Sequence, residues 1–224
     1  MSSTSEQRKL RSIEIIRSHG VPLSEDLPPY LDESEIKLKT PDEIARRVIS
    51  SLITIQVACD MQNGFETAEE SRGFFYEEIQ RFGLEDDLTE AEKRVFFEKP
   101  TEQELTDIAW KYESCWVLLW SLGLIEKLDY PKKLCDAETA IDIIFQSLSL
   151  EEFLQDAKMR SASEILDEAD LAMRYDHVCN TAKQKGKVPP CKLNGGVISE
   201  RHHALKWLTG DESAKNWDNI TANA

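Results

Sequence analysis

The chain has 224 residues, with 27 lysines and arginines against 42 aspartates and glutamates, giving a formal net charge of −15 at pH 7. Hydrophobic residues make up 41% and charged residues 31%, a balance that supports a core beneath a heavily charged surface and does not fit a disordered chain. Such an acidic balance disfavours nucleic acid and anionic membranes as partners, because binding phosphate needs a basic face; a basic protein partner is compatible with it.

Leu10, Ile13 and Ile16 recur at helical spacing, and His19-Gly20 supplies a stop. Val21 to Lys39, with Pro22, Pro28 and Pro29, reads as an extended segment packed across other elements. Thr40-Pro41-Asp42-Glu43 combines a capping residue, a proline at the first helical position and a capping-box glutamate. The stripe Ile44, Val48, Leu52, Ile55 and Cys59 follows, ended by Asn63-Gly64. A third helix is predicted from about Thr67 to Phe82, and Thr89-Glu-Ala-Glu92 and Thr101-Glu-Gln-Glu104 start two more. The second of these is predicted to run unbroken through Leu105, Ile108, Tyr112, Trp116 and Leu119 to Leu122, with Gly123 as its stop. Its nearly all-apolar stretch from Cys115 marks it as the central element.

Ala137, Ala140, Ile141, Ile144, Phe145 and Leu148 form the next stripe, and Ser149 begins a short helix. Ser161-Ala-Ser-Glu164 opens a long helix with Ile165, Leu166, Ala169, Ala172 and Met173 facing inward. Glu164, Asp167, Glu168 and Asp170 fall away from that stripe and read as a solvated face. The basic stretch Lys183-Gln-Lys185-Gly-Lys187 reads as this helix's end and exit loop, Asn194-Gly195-Gly196 as a tight loop, and Ser199 as the cap of a last helix that stops at Gly210. No convincing period-two strand is present. The expected fold class is all-α, an orthogonal helical bundle of about seven to nine helices with few or no strands. The expected domain organisation is a single domain over residues 1–224, with polar tails at 1–6 and 219–224.

Catalytic signatures are missing. There is no phosphate-cradling glycine loop, no Gly-x-Ser-x-Gly and no His-Glu-x-x-His, and the only histidines are His19, His177, His202 and His203. No cofactor or metal is expected. Cys179 follows His177 at a two-residue step that points the two apart on a helix. Carboxylates at i,i+3, such as Glu66 and Glu69, can bind magnesium when a second pair faces them, but in an acidic chain such pairs arise by chance. Five widely spaced cysteines without Cys-x-x-Cys, and a polar N-terminus without an apolar leader, point to a reducing, cytoplasmic setting. The longest apolar run, Cys115 to Trp120, is far short of the roughly 20 residues that span a bilayer.

The most distinctive segment is Glu200-Arg201-His202-His203-Ala204-Leu205-Lys206-Trp207-Leu208. Adjacent helical residues diverge by about 100°, so His202 and His203 do not easily share one ion. Glu200 and His203 share a face and supply at most half a metal site. Arg201 offers a planar fork for an anionic ligand or for a buried carboxylate, with Glu113 as the candidate partner. Trp207, four residues beyond His203, reads as core. Glu113, Glu200, Arg201, His202, His203 and Trp207 are therefore the candidate residues of either a polar clasp or a ligand site.

Two segments carry a family resemblance. Trp110-Lys-Tyr-Glu113-Ser-Cys-Trp-Val-Leu-Leu-Trp120-Ser-Leu-Gly123 resembles a Trp-Arg-x-Glu…Leu-Trp-Ala-Leu-Gly signature, and Val197 to Leu208, followed by Trp217-Asp218, resembles a Glu-Arg-His-x-Ala-Leu-x-Trp motif. Arg11-Ser-Ile-Glu-Ile-Ile and His19-Gly20-Val21-Pro22 also fit. Together these resemble an uncharacterised bacterial family, domain of unknown function number 4272. Lys111 and Ser121 depart from the pattern, which usually has Arg and Ala there. The resemblance implies no established activity. Two functional readings stand. The first is a non-enzymatic acidic protein-interaction domain that binds a basic partner. The alternative is a metal-assisted hydrolase or small-ligand-binding protein using Glu113, Glu200, Arg201 and His202 or His203.

Overall fold

The computed structural model describes residues 4–64 and 68–218. Glu66 of the Glu66–Glu69 pair and the tail at 219–224 lie outside the described residues. The fold is all-α, with no strand among the described residues. No helix is long and apolar enough to cross a membrane among those residues. The chain forms two compact units, one of Met1–Lys39, Lys127–Leu134 and Arg160–Ala224, the other of Thr40–Glu126 and Cys135–Met159.

The second unit is built around α2 (Pro41–Gln62), which touches α3 (Ala68–Phe82), α4 (Glu90–Phe97), α5 (Glu102–Trp110), α6 (Tyr112–Ser121), α7 (Ala137–Phe145) and α8 (Leu150–Gln155). Its N-terminus is the expected capping box, with Thr40 Oγ1 accepting from the Glu43 N–H. Nearly every α2 residue from Ile44 to Ala58 is buried, so this helix, and not the one starting at Thr101, is the hub. That second helix is also not continuous. At Lys111 the N–H bonds back three residues to the Ile108 carbonyl at 3.0 Å, a tight turn that ends α5 and restarts the chain as α6. The break falls on one of the two positions that depart from the family pattern. Two buried carboxylates in this unit are paired. Glu92 takes the Arg47 guanidinium and the Ser51 hydroxyl, and Glu113 accepts the Cys135 N–H.

The first unit packs α1 (Ser5–Ser18) and α10 (Gly195–Leu208) against α9 (Ala162–Gln184). Helix α1 starts earlier than the expected polar tail allows. A Thr4-x-x-Gln7 capping box draws Ser5 and Glu6 into its first turn. Its buried face holds Arg8, Ser12, Ile13 and Ile16, whereas Leu10 is 59% exposed. Arg8 donates to the Leu31 carbonyl and pairs with Asp167, so the buried face of α1 carries a charged side chain and not Leu10. Helix α10 also starts a turn earlier than a Ser199 cap would set it. The Asn194 side chain accepts the N–H groups of Gly196 and Val197, making Asn194 the cap and Gly195-Gly196 the first helical residues.

The four acids on α9 do not form a solvated face. Glu164 closes the capping box on Ser161 at the surface. Asp167 pairs with Arg8 and Arg11. Asp170 and Arg174, both 0% exposed, form a two-pronged pair at 2.8 and 2.9 Å. The Asp170 carboxylate also accepts the Tyr30 N–H at 2.9 Å, and Arg174 donates to the Pro28 carbonyl at 3.0 Å. This pair therefore stitches the proline-rich segment onto α9. That segment is held further by Lys37 and Lys39, whose N–H groups donate to the Thr209 and Leu208 carbonyls at the end of α10. Gly210, at φ +74°, follows there. A Cβ at this position would lie 2.7 Å from the Lys37 carbonyl oxygen, so only glycine fits.

Removing Asp170 leaves the Arg174 charge buried with its main partner gone. Asp170→Ala is expected to lower stability by about 3–5 kcal/mol in urea denaturation. A loss no larger than about 0.5 kcal/mol, the range of surface substitutions, would show that the pair does not hold the segment.

Candidate ligand pocket

A cavity of about 240 Å³ lies within the first unit. Three helices and a strap each give it one face, and each face obeys helical spacing. From α9 come Glu168, Leu171, Ala172 and Tyr175, and from α10 Ile198, Arg201 and Leu205. Helix α1 adds Ile15 and, at its C-cap, His19. The strap is Leu128 to Pro131.

The strap is anchored at three points. The Arg201 guanidinium donates to the Asp129 carbonyl at 2.7 Å, the Asn194 N–H to the Pro131 carbonyl at 2.8 Å, and the Tyr130 hydroxyl to the Cys191 carbonyl at 2.9 Å. Tyr130 lies 4.6 Å from the His19 ring and stands edge-on to Tyr175 at 5.9 Å. His19 Nδ1 is 2.9 Å from the Tyr175 hydroxyl. Burial pushes the Tyr175 and Tyr130 hydroxyls above the ordinary phenol range, so both stay protonated at neutral pH.

Glu168 is the exceptional group. Its carboxyl is part-buried and makes no hydrogen bond or ion pair among the described residues. Burial raises its pKa to about 7, against the pull of Arg201, and the nearby Asp167 raises it further. A carboxyl of this kind changes charge in the physiological range and has its bonding capacity unspent.

The residues singled out on α10 take different places. Arg201 lines the pocket. His202 and His203 diverge, as adjacent helical residues must. His202 Nδ1 lies 3.2 Å from an Asp176 carboxylate oxygen, and the buried His203 bonds through Nε2 to the Trp217 carbonyl at 3.2 Å. Trp207 is core, edge-on to Trp217 at 5.3 Å with the Lys39 ammonium over its ring. Glu200 is buried on α10, and Glu113 belongs to the second unit. No cluster of three or more His, Cys, Asp or Glu fit to hold a metal ion is present among the described residues. Nor are the thiols of Cys59, Cys115 and Cys179 poised as nucleophiles. Burial raises the Cys179 thiol to about 11 and pushes Cys59 and Cys115 up as well.

The sequence reading missed Glu168, His19, Tyr130 and Tyr175. A signal was available for part of the set, since Glu168, Leu171, Ala172 and Tyr175 follow the 0, 3, 4, 7 spacing of one helical face. It was hidden by the neighbouring acids, which made Glu168 look like one member of a charged surface.

The molecule is thus an all-α protein carrying a small pocket walled by aromatic and aliphatic side chains, with an acid and an arginine on its lining. It belongs to the family described as Domain of unknown function (DUF4272), whose model matches residues 8–220. Neither a curated protein nor a solved structure matches the chain.

The Glu168 pKa carries a stability signature. Its folded value lies above the free value of 4.5, so the fold prefers the neutral carboxyl. That contribution is complete below about pH 4.5 and is lost as pH rises through about 7. Glu168→Gln, neutral at every pH, is expected to be more stable than the parent at pH 8 by about 1–3 kcal/mol, with the difference vanishing near pH 4. Urea denaturation at the two pH values checks this; a pH-independent difference would place Glu168 in open solvent.

Proposed function

We propose that this protein acts by binding, and that its site is the first unit's pocket, which takes a small organic molecule. The observation that carries this reading is the Glu168 carboxyl. A part-buried acid without a hydrogen-bond partner is costly, and here it faces a cavity that could supply one. The cavity is smaller than the roughly 300–1,000 Å³ typical of drug-sized ligands, so the ligand is compact. Its walls are mostly apolar, with few convergent polar groups, which is the usual composition of such sites.

A second reading, capture of a basic protein partner, is favoured by the net charge of −15. That charge would speed encounter with a cationic surface. This reading is independent of the pocket, and a cytoplasmic location, suggested by five free cysteines, suits either.

Ala172 is a small, part-exposed residue on the pocket wall. Ala172→Phe is expected to fill the cavity and abolish binding of fragment-sized molecules in ligand-observed NMR, while circular dichroism and thermal midpoint show a retained fold. Fragment binding undiminished in a folded Ala172→Phe variant would remove the pocket from the account.

A further inference from the structure

We infer that the pocket selects a small primary amine carried on an apolar body, with the ammonium paired to Glu168. This rests on the binding reading given above. Three independent features point to a cation.

The first is hydrogen-bond bookkeeping. The group on the cavity wall with unspent capacity is a carboxylate, which accepts only. An ammonium brings three donors and a charge, and would make the strong charge-assisted bonds that Glu168 does not make within the chain. The Arg201 guanidinium, by contrast, is already engaged with the Asp129 carbonyl.

The second is the wall. Tyr130 lies with its ring 4.6 Å from His19 and 5.9 Å from Tyr175, and all three line the cavity. The electron-rich faces of tyrosine attract cations, and both hydroxyls stay protonated. Ile15, Leu171, Ala172, Ile198 and Leu205 offer an apolar surface for the rest of the ligand.

The third is the field of the whole chain. A net charge of −15 draws small cations toward the surface and repels small anions. The charges that bear on Glu168 directly are Arg201 from α10, Asp167 on its own helix and Arg160 just ahead of it; Asp129 and His19 also line the cavity. Arg201 at the wall disfavours a ligand with a second positive charge. The fit is therefore a monoamine and not a polyamine.

The test compares 2-phenylethylamine, 2-phenylethanol and 3-phenylpropionate with the full chain by saturation-transfer NMR and titration at pH 7.5. The amine is expected to bind at least tenfold more tightly than the alcohol. Glu168→Gln is expected to erase that preference, with circular dichroism and an unchanged or raised thermal midpoint showing that the variant is folded. Preference for the carboxylate, or an amine preference that survives Glu168→Gln, would overturn the amine assignment while leaving the pocket reading in place. Failure of all three ligands to bind would overturn both.

Discussion

The first unit depends on how α9 buries charge. Asp170 and Arg174, four residues apart and both sealed from solvent, satisfy each other and then reach out to the backbone at Pro28 and Tyr30. An ion pair in the interior is costly unless its geometry is good and its remaining bonds are made. Here the proline-rich segment makes two of those bonds, through the Tyr30 N–H and the Pro28 carbonyl, so packing that segment and holding the pair are coupled. The pair also fixes the rotation of α9. With Asp170 and Arg174 turned to the segment, Glu168, Leu171, Ala172 and Tyr175 are turned to the cavity.

Glu168 stands out against this background. Glu92 in the second unit has Arg47 and Ser51, Glu113 has the Cys135 N–H, and Asp170 has Arg174 and Tyr30. Each of these buried acids is accounted for by chain architecture. Glu168 is not, and it is also the carboxylate whose pKa is raised to about 7. The contrast with Glu92, Glu113 and Asp170 sets apart the acid beside a cavity. The Tyr130, Tyr175 and His19 rings line the same cavity as this carboxyl.

Much of the fold was legible in the sequence because helix starts carry their own chemistry. Thr40, Thr89, Thr101, Ser149 and Ser161 all cap where their spacing to an acid three residues on predicts. Reading failed where a side chain acts outside the common pattern. Asn194 captured α10 a turn before Ser199 could, and Lys111 broke a helix whose apolar stripe continues across the joint. The site was less legible for a related reason. The segment centred on His202 and His203 drew attention through its composition, yet those histidines and Trp207 serve local contacts to Asp176 and Trp217. Only Arg201 of that set lines the pocket. Glu168 was masked by Glu164, Asp167 and Asp170, because composition alone does not tell a solvated acid from one that is paired or one that waits for a partner.

The central claim concerns the state of a single carboxyl group, and carbon-detected NMR reads it directly. With side-chain glutamate carboxyls labelled and Glu168 assigned through the Gln variant, its resonance is expected to titrate with a midpoint near 7 in the free protein. Saturation with 2-phenylethylamine is expected to move that midpoint down by at least one pH unit, because a bound ammonium favours the ionised form. A midpoint in the ordinary range near 4.5, unmoved by the amine, would contradict the account.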